Sequence, residues 1–274
     1  MWHKNRQIHF KCESACEKAS IKERPGAVMY RFYVEPDQTG DKEIRITGPD
    51  VNHIKNVLRM KPGEKIIICN GQGKDFYCII KEEADGAIIA EVLNIRETDT
   101  ELDGRIYLFQ GVPKKDKMEL IIQKAVELGV YEIIPVMTRR TVVKLEDRKK
   151  EQKKLERWQS IAASAAKQSN RGIIPRITDT MTFREALTYA AGMDCKVIPY
   201  ENAGDISKTR SIIKELTNTQ TIGIFIGPEG GFEEEEVKQA SDAGVLPITL
   251  GRRILRTETA GLAVLSMIML QMER

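Results

Sequence analysis

Apolar residues fall into two different rhythms along this chain, and the change comes near residue 100. From Met29 to about Thr100, short runs rich in β-branched and aromatic residues are separated by turn signals. Ile66 to Cys69, Phe76 to Ile80 and Ala87 to Leu93 read as strands, with turns at Asn70-Gly71-Gln72-Gly73 and Asp85-Gly86. His53 to Lys61 reads as a short helix ahead of Pro62-Gly63. The first part is thus expected to be a small β domain. From Gly104 onward, predicted strands alternate with predicted helices, the pattern of a parallel α/β sheet. Strands are expected at Ile106 to Gln110, Ile133 to Val136 and Lys196 to Tyr200. A helix is expected over Lys114 to Leu128, with Met118, Ile121, Ile122 and Ala125 on one face and Gly129 as its stop. A second runs from Glu151 to Gln168, basic at the start and alanine-rich later, and a third from Thr182 to Ala190. Ile222 to Ile226 and Val245 to Leu250 read as two more buried parallel strands.

Each of these last two strands runs into an unusual loop. The first meets Gly227-Pro228-Glu229-Gly230-Gly231-Phe232; the second meets Leu250-Gly251-Arg252-Arg253-Ile254-Leu255-Arg256-Thr257-Glu258-Thr259-Ala260. Open α/β sheets bind ligands outside the carboxyl ends of their strands, so two such loops on neighbouring strands describe a pocket. The first loop has no phosphate-meeting lysine, carries Glu229 and runs into Glu233 to Glu236. That setting opposes a triphosphate and suits an uncharged adenosine or a cationic group. The four glutamates themselves read as a helix start, where acids complement the macrodipole. Tyr200-Glu201-Asn202 is a third loop that could line the pocket, although Glu201 serves equally well as a solvated turn residue.

The second loop leads into Ala260 to Leu270, apolar nearly all round. It is shorter than the roughly 20 residues of a membrane span, so it must be buried in the core or against a second subunit, and a homodimer is expected. Thr257 is placed to cap this helix. Arg256, beside an apolar segment, needs an anion or a carbonyl to receive it.

Composition adds bounds. The 274 residues, 30% charged and 41% hydrophobic, suit a soluble globule of two domains. A formal net charge of +3 is too small for whole-molecule attraction to nucleic acid, so any RNA site must be a local patch. Five cysteines, Cys12, Cys16, Cys69, Cys78 and Cys195, form no framework spacing and point to reduced thiols in the cytoplasm. The first 28 residues lack the apolar run of a signal peptide. No G-x-G-x-x-G follows the first strand of the α/β part, which opposes a dinucleotide site.

The two loops together resemble the RsmE-type SPOUT methyltransferases, the 16S rRNA (uracil(1498)-N3)-methyltransferases. The resemblance extends to Lys114 through Glu119, to Gln123 through Val130, to Ala165 through Arg171 closing on Pro175, and to His53 through Met60, in family order. It implies a PUA-like RNA-binding barrel over residues 29–100 and a SPOUT domain over 101–274, whose chain forms a trefoil knot, a rarity among folds. It also implies S-adenosylmethionine (SAM) as cofactor, in a pocket made by Gly227, Pro228, Glu229, Gly230, Gly231, Leu250, Gly251, Ile254, Leu255, Arg256, Thr257, Thr259 and Ala260, with Glu201 a further candidate. The implied partner is the 16S rRNA of the small ribosomal subunit. Two positions depart from the family pattern: Arg140 and Lys167 stand where an acidic residue is common.

The implied reaction is attack by a uracil nitrogen on the sulfonium methyl. N3 carries a proton at neutral pH, so the reaction needs a general base or stabilisation of the uracil anion. No histidine lies after His53, which excludes a histidine base in the α/β part. Arg256 is the candidate for stabilising an oxygen or phosphate of the target; Glu229 and Glu258 are candidates for proton removal, or for holding Arg256 and the adenosine. Cys195 reads as a buried small residue. Among the basic residues flanking the pocket, Lys114, Lys115, Lys117, Arg252 and Arg253 read as solvating. Arg139, Arg140, Gln168 and Arg171 end secondary elements and are candidates to face RNA, as are Arg59 and Lys61. For the last two, helix capping and phosphate contact remain equally open. A ribose 2′-O methyltransferase and a non-catalytic RNA-binding protein are the competing readings; the intact loops oppose the second.

Residues 1–28 are expected to be a disordered extension. His3, His9, Cys12 and Cys16 invite a zinc reading, but paired zinc ligands usually stand two to four residues apart, and no metal is expected. Deleting 1–28 should leave methyl transfer unchanged, which an activity assay on the truncated chain checks.

Overall fold

The computed structural model describes residues 29–142, 148–201, 203–216 and 220–273; the 1–28 extension and Asn202 lie outside the described residues. The first part is a five-stranded sheet of β1 (Tyr30–Tyr33), β2 (Glu43–Ile46), β3 (Lys65–Cys69), β4 (Lys74–Ala84) and β5 (Ala87–Glu97), in the order β1-β3-β4-β5-β2. Period-two alternation turns Ile44, Ile46, Ile66, Ile68, Phe76, Cys78, Ile80, Ile88 and Ala90 into one buried cluster, closed by Ile54.

Ile54 comes from a helix that starts earlier and ends earlier than expected. Pro49, with its preset φ, opens α1 (Pro49–Asn52), which continues as a π-helical turn over His53–Val57. Arg59 then adopts a left-handed φ of 55° while the Met60 N–H bonds the Ile54 carbonyl at 3.0 Å. Arg59 therefore sits in the stop position that glycine usually fills, with its side chain exposed, and Lys61 lies beyond the helix.

The second part is a parallel sheet flanked by helices. In chain order it contains β6 (Arg105–Gly111), α2 (Lys117–Glu127), β7 (Glu132–Met137), α3 (Arg148–Gln168), β8 (Arg176–Ile177), β9 (Met181–Thr182), α4 (Phe183–Tyr189), β10 (Cys195–Pro199), α5 (Ile206–Glu215), β11 (Thr221–Ile226), α6 (Glu234–Asp242), β12 (Leu246–Ile248) and α7 (Thr257–Met272). The strand order is β12-β10-β11-β6-β7-β8, with β9 also pairing β7. On one face Ile106, Leu108, Ile133, Ile222 and Ile224 pack against α2, α3, α5 and α7. On the other, Phe109 and Phe225 stack at 4.4 Å beneath α4 and α6. Burial on both faces explains why these strands read as continuous apolar runs.

This order corrects one expectation. β11 and β12, whose loops carry the two motifs, are not neighbours, because β10 lies between them and pairs with both. A strand's place in a parallel sheet depends on where its crossover helix returns, not on its rank in the chain.

The two parts join at the amino edge of the large sheet. Glu101 accepts hydrogen bonds from Arg171 through both Nε (3.2 Å) and Nη2, and from the N–H groups of Gly172 (2.9 Å) and Ile173 (3.2 Å). Arg171 Nη1 also donates to the carbonyls of Val126 (3.1 Å) and Val130 (2.5 Å) at the end of α2. The Gly73 N–H reaches across to the Gly172 carbonyl at 2.9 Å. A Cβ on Gly172 would lie 2.2 Å from the Thr98 side chain, so only glycine permits this approach. Arg171 is thus corrected from a candidate RNA contact to a buried strut, 3% exposed with its donors committed to protein acceptors.

Candidate active site

The carboxyl ends of β10, β11 and β12 open onto one cavity of about 640 Å³. That lies within the roughly 300–1,000 Å³ of small-molecule sites. Its walls are Pro199 to Glu201 after β10, Ile226 to Phe232 after β11, and Thr249 to Thr257 after β12, with Lys117, Arg140 and Ala260 completing it. Every residue singled out for a cofactor lies there except Thr259, which faces outward from the first turn of α7. The loop after β10 is a full wall, as its central strand requires.

Three glycines let the first loop fold tightly against the sheet. A Cβ on Gly227 would fall 2.9 Å from the carbonyl carbon of Gly231, backbone against backbone. Gly111, at the end of β6, likewise leaves room for the Pro228 ring, which would stand 2.6 Å from a Cβ. Gly231 takes φ 68° with nothing near the missing Cβ, and Gly251 takes φ 99° in equally open surroundings. Main chain is therefore bared toward the cavity on two of its sides, which lets a flat ring approach closely.

The loops are held to the framework by a short polar chain. Gln110, fully buried at the end of β6, donates through Nε2 to the Thr257 hydroxyl at 2.9 Å, and that hydroxyl donates to the Gly227 carbonyl at 2.6 Å. Thr257 is thus the first helical residue and a tie between loops, not the cap; the cap position is Arg256, whose side chain makes no capping bond. The α7 amides begin their ladder at the Arg256 carbonyl, which accepts from Thr259 (2.9 Å) and Ala260 (2.8 Å).

Glu229 turns out to be committed. It accepts from the Lys114 N–H at 3.1 Å and from Lys117 Nζ at 3.0 Å. Partial burial would raise its pKa, but hydrogen bonds from its own backbone, from Lys117 and from Lys114 outweigh that and hold it below the usual value. A carboxylate so stabilised is a poor proton acceptor. Lys117, in turn, is held above the usual amine range chiefly by its hydrogen bond to Glu229. Glu258 is absent from the cavity wall; its Oε2 is buried without a hydrogen bond, 3.6 Å from Lys117 Nζ. Glu229 and Lys117 thus pair on the cavity wall itself, with Glu258 3.6 Å from the same amine but off that wall.

The glutamates after Phe232 form the helix start read from sequence. Glu233 and Glu236 make a capping box, and the buried Glu236 also accepts from the Arg139 N–H at 2.9 Å. Arg140 Nη1 donates to the Gly230 carbonyl at 2.8 Å, so this half-exposed arginine buttresses the cavity rim. Arg256 differs from all of these. It is exposed, lines the cavity, and its side chain has no hydrogen bond or ion pair among the described residues.

Gln110 and Pro199 went unassigned in the sequence, whereas Tyr200, read there as part of a possible third wall, does line the cavity. Gln110 did carry a signal, an amide at the end of an otherwise apolar strand that ends fully buried. Cys195 is half-buried, and burial raises its thiol above the usual range, which agrees with an unreactive packing role.

Comparison with known proteins agrees with this geometry. An RNA methyltransferase domain model matches residues 100–269, and an RNA methyltransferase PUA domain model matches residues 46–93. The Ribosomal RNA small subunit methyltransferase E of Bacillus subtilis is 39% identical over 251 residues, covering 89% of this chain and 98% of that protein. Its counterpart in Mesomycoplasma hyopneumoniae is 35% identical, covering 87% and 98%. Among solved structures, the Neisseria gonorrhoeae enzyme of the same name, bound to S-adenosyl methionine, superposes with a TM-score of 0.71 at 35% identity, over 87% of this chain and 96% of that one. With both domain models matched in order and relatives of 39% and 35% identity covered nearly end to end, the chain belongs to the ribosomal RNA small subunit methyltransferase E family.

Proposed function

We propose that this chain transfers a methyl group from SAM to N3 of a uridine in the 16S rRNA of the small ribosomal subunit, at the position that is uracil 1498 in the family. The observation that carries the reading is the convergence of three carboxyl-edge loops on one cavity that has bared main chain and an uncommitted cation, Arg256, where its wall meets α7. The residues present fit the cofactor. The open space beside Gly231 and Gly251 suits a flat purine, the walls add Ile226, Leu250 and Leu255 as apolar surface, and no lysine-bearing phosphate loop is present among the described residues. When bound there, SAM would supply an electrophilic methyl on sulfonium.

This chain's own residues would do the rest. Gly227 through Gly231 and Leu250 through Thr257 would bind and orient the cofactor, fixed by the Gln110–Thr257–Gly227 chain. Arg256 would hold the uracil oxygen as N3 loses its proton, stabilising the anion that attacks. With Glu229 held in its ion pair, anion stabilisation is the route the site favours. Residues 29–100 would form the RNA-binding PUA-like domain and 101–274 the catalytic domain. Arg59 and Lys61 on the first, and Arg139, Arg140 and Gln168 on the second, remain the proposed RNA contacts. The compartment is the cytoplasm.

A homodimer is part of the proposal. α7 leaves Leu270 71% exposed, and α2, which packs beside it, leaves Leu120 46% exposed, large apolar side chains that a second copy would cover. Sedimentation should give twice the chain mass; a stable monomer would contradict this.

The deciding experiment incubates the protein with labelled SAM and small subunits lacking the modification, then identifies the methylated nucleoside by mass spectrometry. 3-Methyluridine from one 16S site is expected. A 2′-O-methylated nucleoside would instead assign the ribose reading, and failure to bind SAM would end the enzyme reading. Gly227→Ala, whose Cβ would strike backbone, is expected to weaken SAM binding about tenfold or more by calorimetry.

A further inference from the structure

Most of the molecule's positive charge lies outside the residues proposed so far. Residues 148–157, the first half of α3, hold six cationic and two acidic side chains, a net +4 where the whole chain carries +3. Lys150, Lys153, Lys154 and Arg157 stand at i, i+3, i+4 and i+7, so they form one stripe, and all four are exposed. Helix folding alone does not favour this. Like charges at these spacings repel, and cations near a helix start oppose the macrodipole. A solvated lysine face needs neither cost, since acids could alternate with the lysines as they do elsewhere in this chain.

The stripe also has a definite place. Arg157 donates to Glu119 of α2 at 2.8 Å, while Arg171, just past the end of α3, reaches the carbonyls at the other end of α2. The two helices therefore run side by side in the same direction. Lys117, at the start of α2, lines the cavity. Residues 148–156 come before Arg157, so they carry α3 about 13 Å past Glu119 at 1.5 Å per residue, beyond the start of α2. The stripe overhangs the carboxyl edge of the sheet, the edge where the cavity opens. The five-stranded part, by contrast, joins at the amino edge near Arg171 and Gly172, about 20 Å away along a seven-residue strand. The start of α3 and the cavity thus share one edge of the sheet, and the junction lies at the opposite edge.

We propose that the first half of α3 is an RNA phosphate-binding surface that grips the substrate backbone beside the target nucleotide. The proposal rests on the RNA-methylating reading above, and it commits to the phosphodiester backbone as the partner, not to a ribosomal protein. Contacts of this kind position RNA without reading its sequence, and they make binding depend on salt.

The test is the K150A/K153A/K154A variant, with K150R/K153R/K154R as its charge-preserving control. Binding of fluorescently labelled, unmodified 16S rRNA transcript is followed by anisotropy over a series of salt concentrations. The alanine variant should bind about tenfold or more weakly, and its log–log salt slope should be shallower by about two, near 0.7 for each lost lysine. SAM affinity by calorimetry should be unchanged, and Tm should equal or exceed the parent's, because cations have left the helix start. The arginine control should match the parent. Parent-like affinity and slope in the alanine variant would overturn the proposal. So would a variant impaired on intact small subunits but normal on naked transcript, which would identify a ribosomal protein as the partner. Loss in the arginine control would overturn it as well, because charge would not be the determinant. These readouts are binding measurements, so the two proposals fail separately. Absence of 3-methyluridine from the parent's product would count against the reaction, while transcript binding alone decides the role of α3.

Discussion

Arg256→Ala is expected to lower methyl transfer by about 10²–10³-fold, the usual loss when one preorganised donor to a developing anion is removed. SAM affinity should change little, and Tm should not fall. The structure supports this separation. The Arg256 main chain starts α7 through its carbonyl, a function that alanine retains, and its side chain contributes no capping bond and no ion pair among the described residues. A cation at a helix start is electrostatically disfavoured, so losing it costs the fold nothing. An exposed arginine on the cavity wall, set against that bias, is where the proposed anion stabilisation needs a cation. Arg256→Lys should recover part of the rate, since it restores charge without the planar fork. Single-turnover transfer and calorimetry on the same preparations check the prediction; equal losses of transfer and of SAM binding would make Arg256 a cofactor ligand instead.

Much of this site is legible in the amino-acid sequence because its signals are local. Glycines after an apolar run mark a place where main chain is bared, and Gly227, Gly231 and Gly251 do so. The acidic run Glu233 to Glu236 announces a helix start through its charge, and the helix does begin there, with a capping box the charge reading did not specify. The same locality misleads at Thr257. A threonine ahead of an apolar helix reads as a cap, yet its hydroxyl is drawn to the Gly227 carbonyl and to Gln110, far away in the chain. Tertiary partners outcompete the local one.

What stays hidden is set by crossovers and long-range pairing. Nothing in the chain says that β10 inserts between β11 and β12, so the wall formed by Pro199, Tyr200 and Glu201 is only one possibility among several until the strands are placed. Glu229 reads as a possible base because its lysine comes from α2, more than a hundred residues earlier. A carboxylate's chemistry depends on what faces it, and sequence order does not name neighbours. The Arg59 conformation is likewise beyond reach: a left-handed arginine is uncommon, and only the helix ending around it makes it tolerable.

Arg171→Ala carries the largest expected cost in stability, about 3–5 kcal/mol, because removing one partner of a buried pair leaves the other charge uncompensated. The Arg171 side chain is 4% exposed and that of Glu101 16%, so little water could replace the lost guanidinium. Two carbonyls at the end of α2, Val126 and Val130, lose a donor at the same moment. Tm should fall on the order of 10 °C. Had Arg171 faced RNA, the same substitution would weaken RNA binding and leave Tm where it was, so thermal denaturation separates the two accounts without any substrate. Glu101→Gln is the converse test: its amide oxygen can still accept from the Gly172 and Ile173 N–H groups, but the buried guanidinium loses its counter-charge, so Tm should fall here too. If Arg171→Ala melts like the parent, the strut contributes nothing, and the junction rests on its other contacts, among them those of Gly73 with Gly172, Gly71 with Ile174, and Thr100 with Asn170.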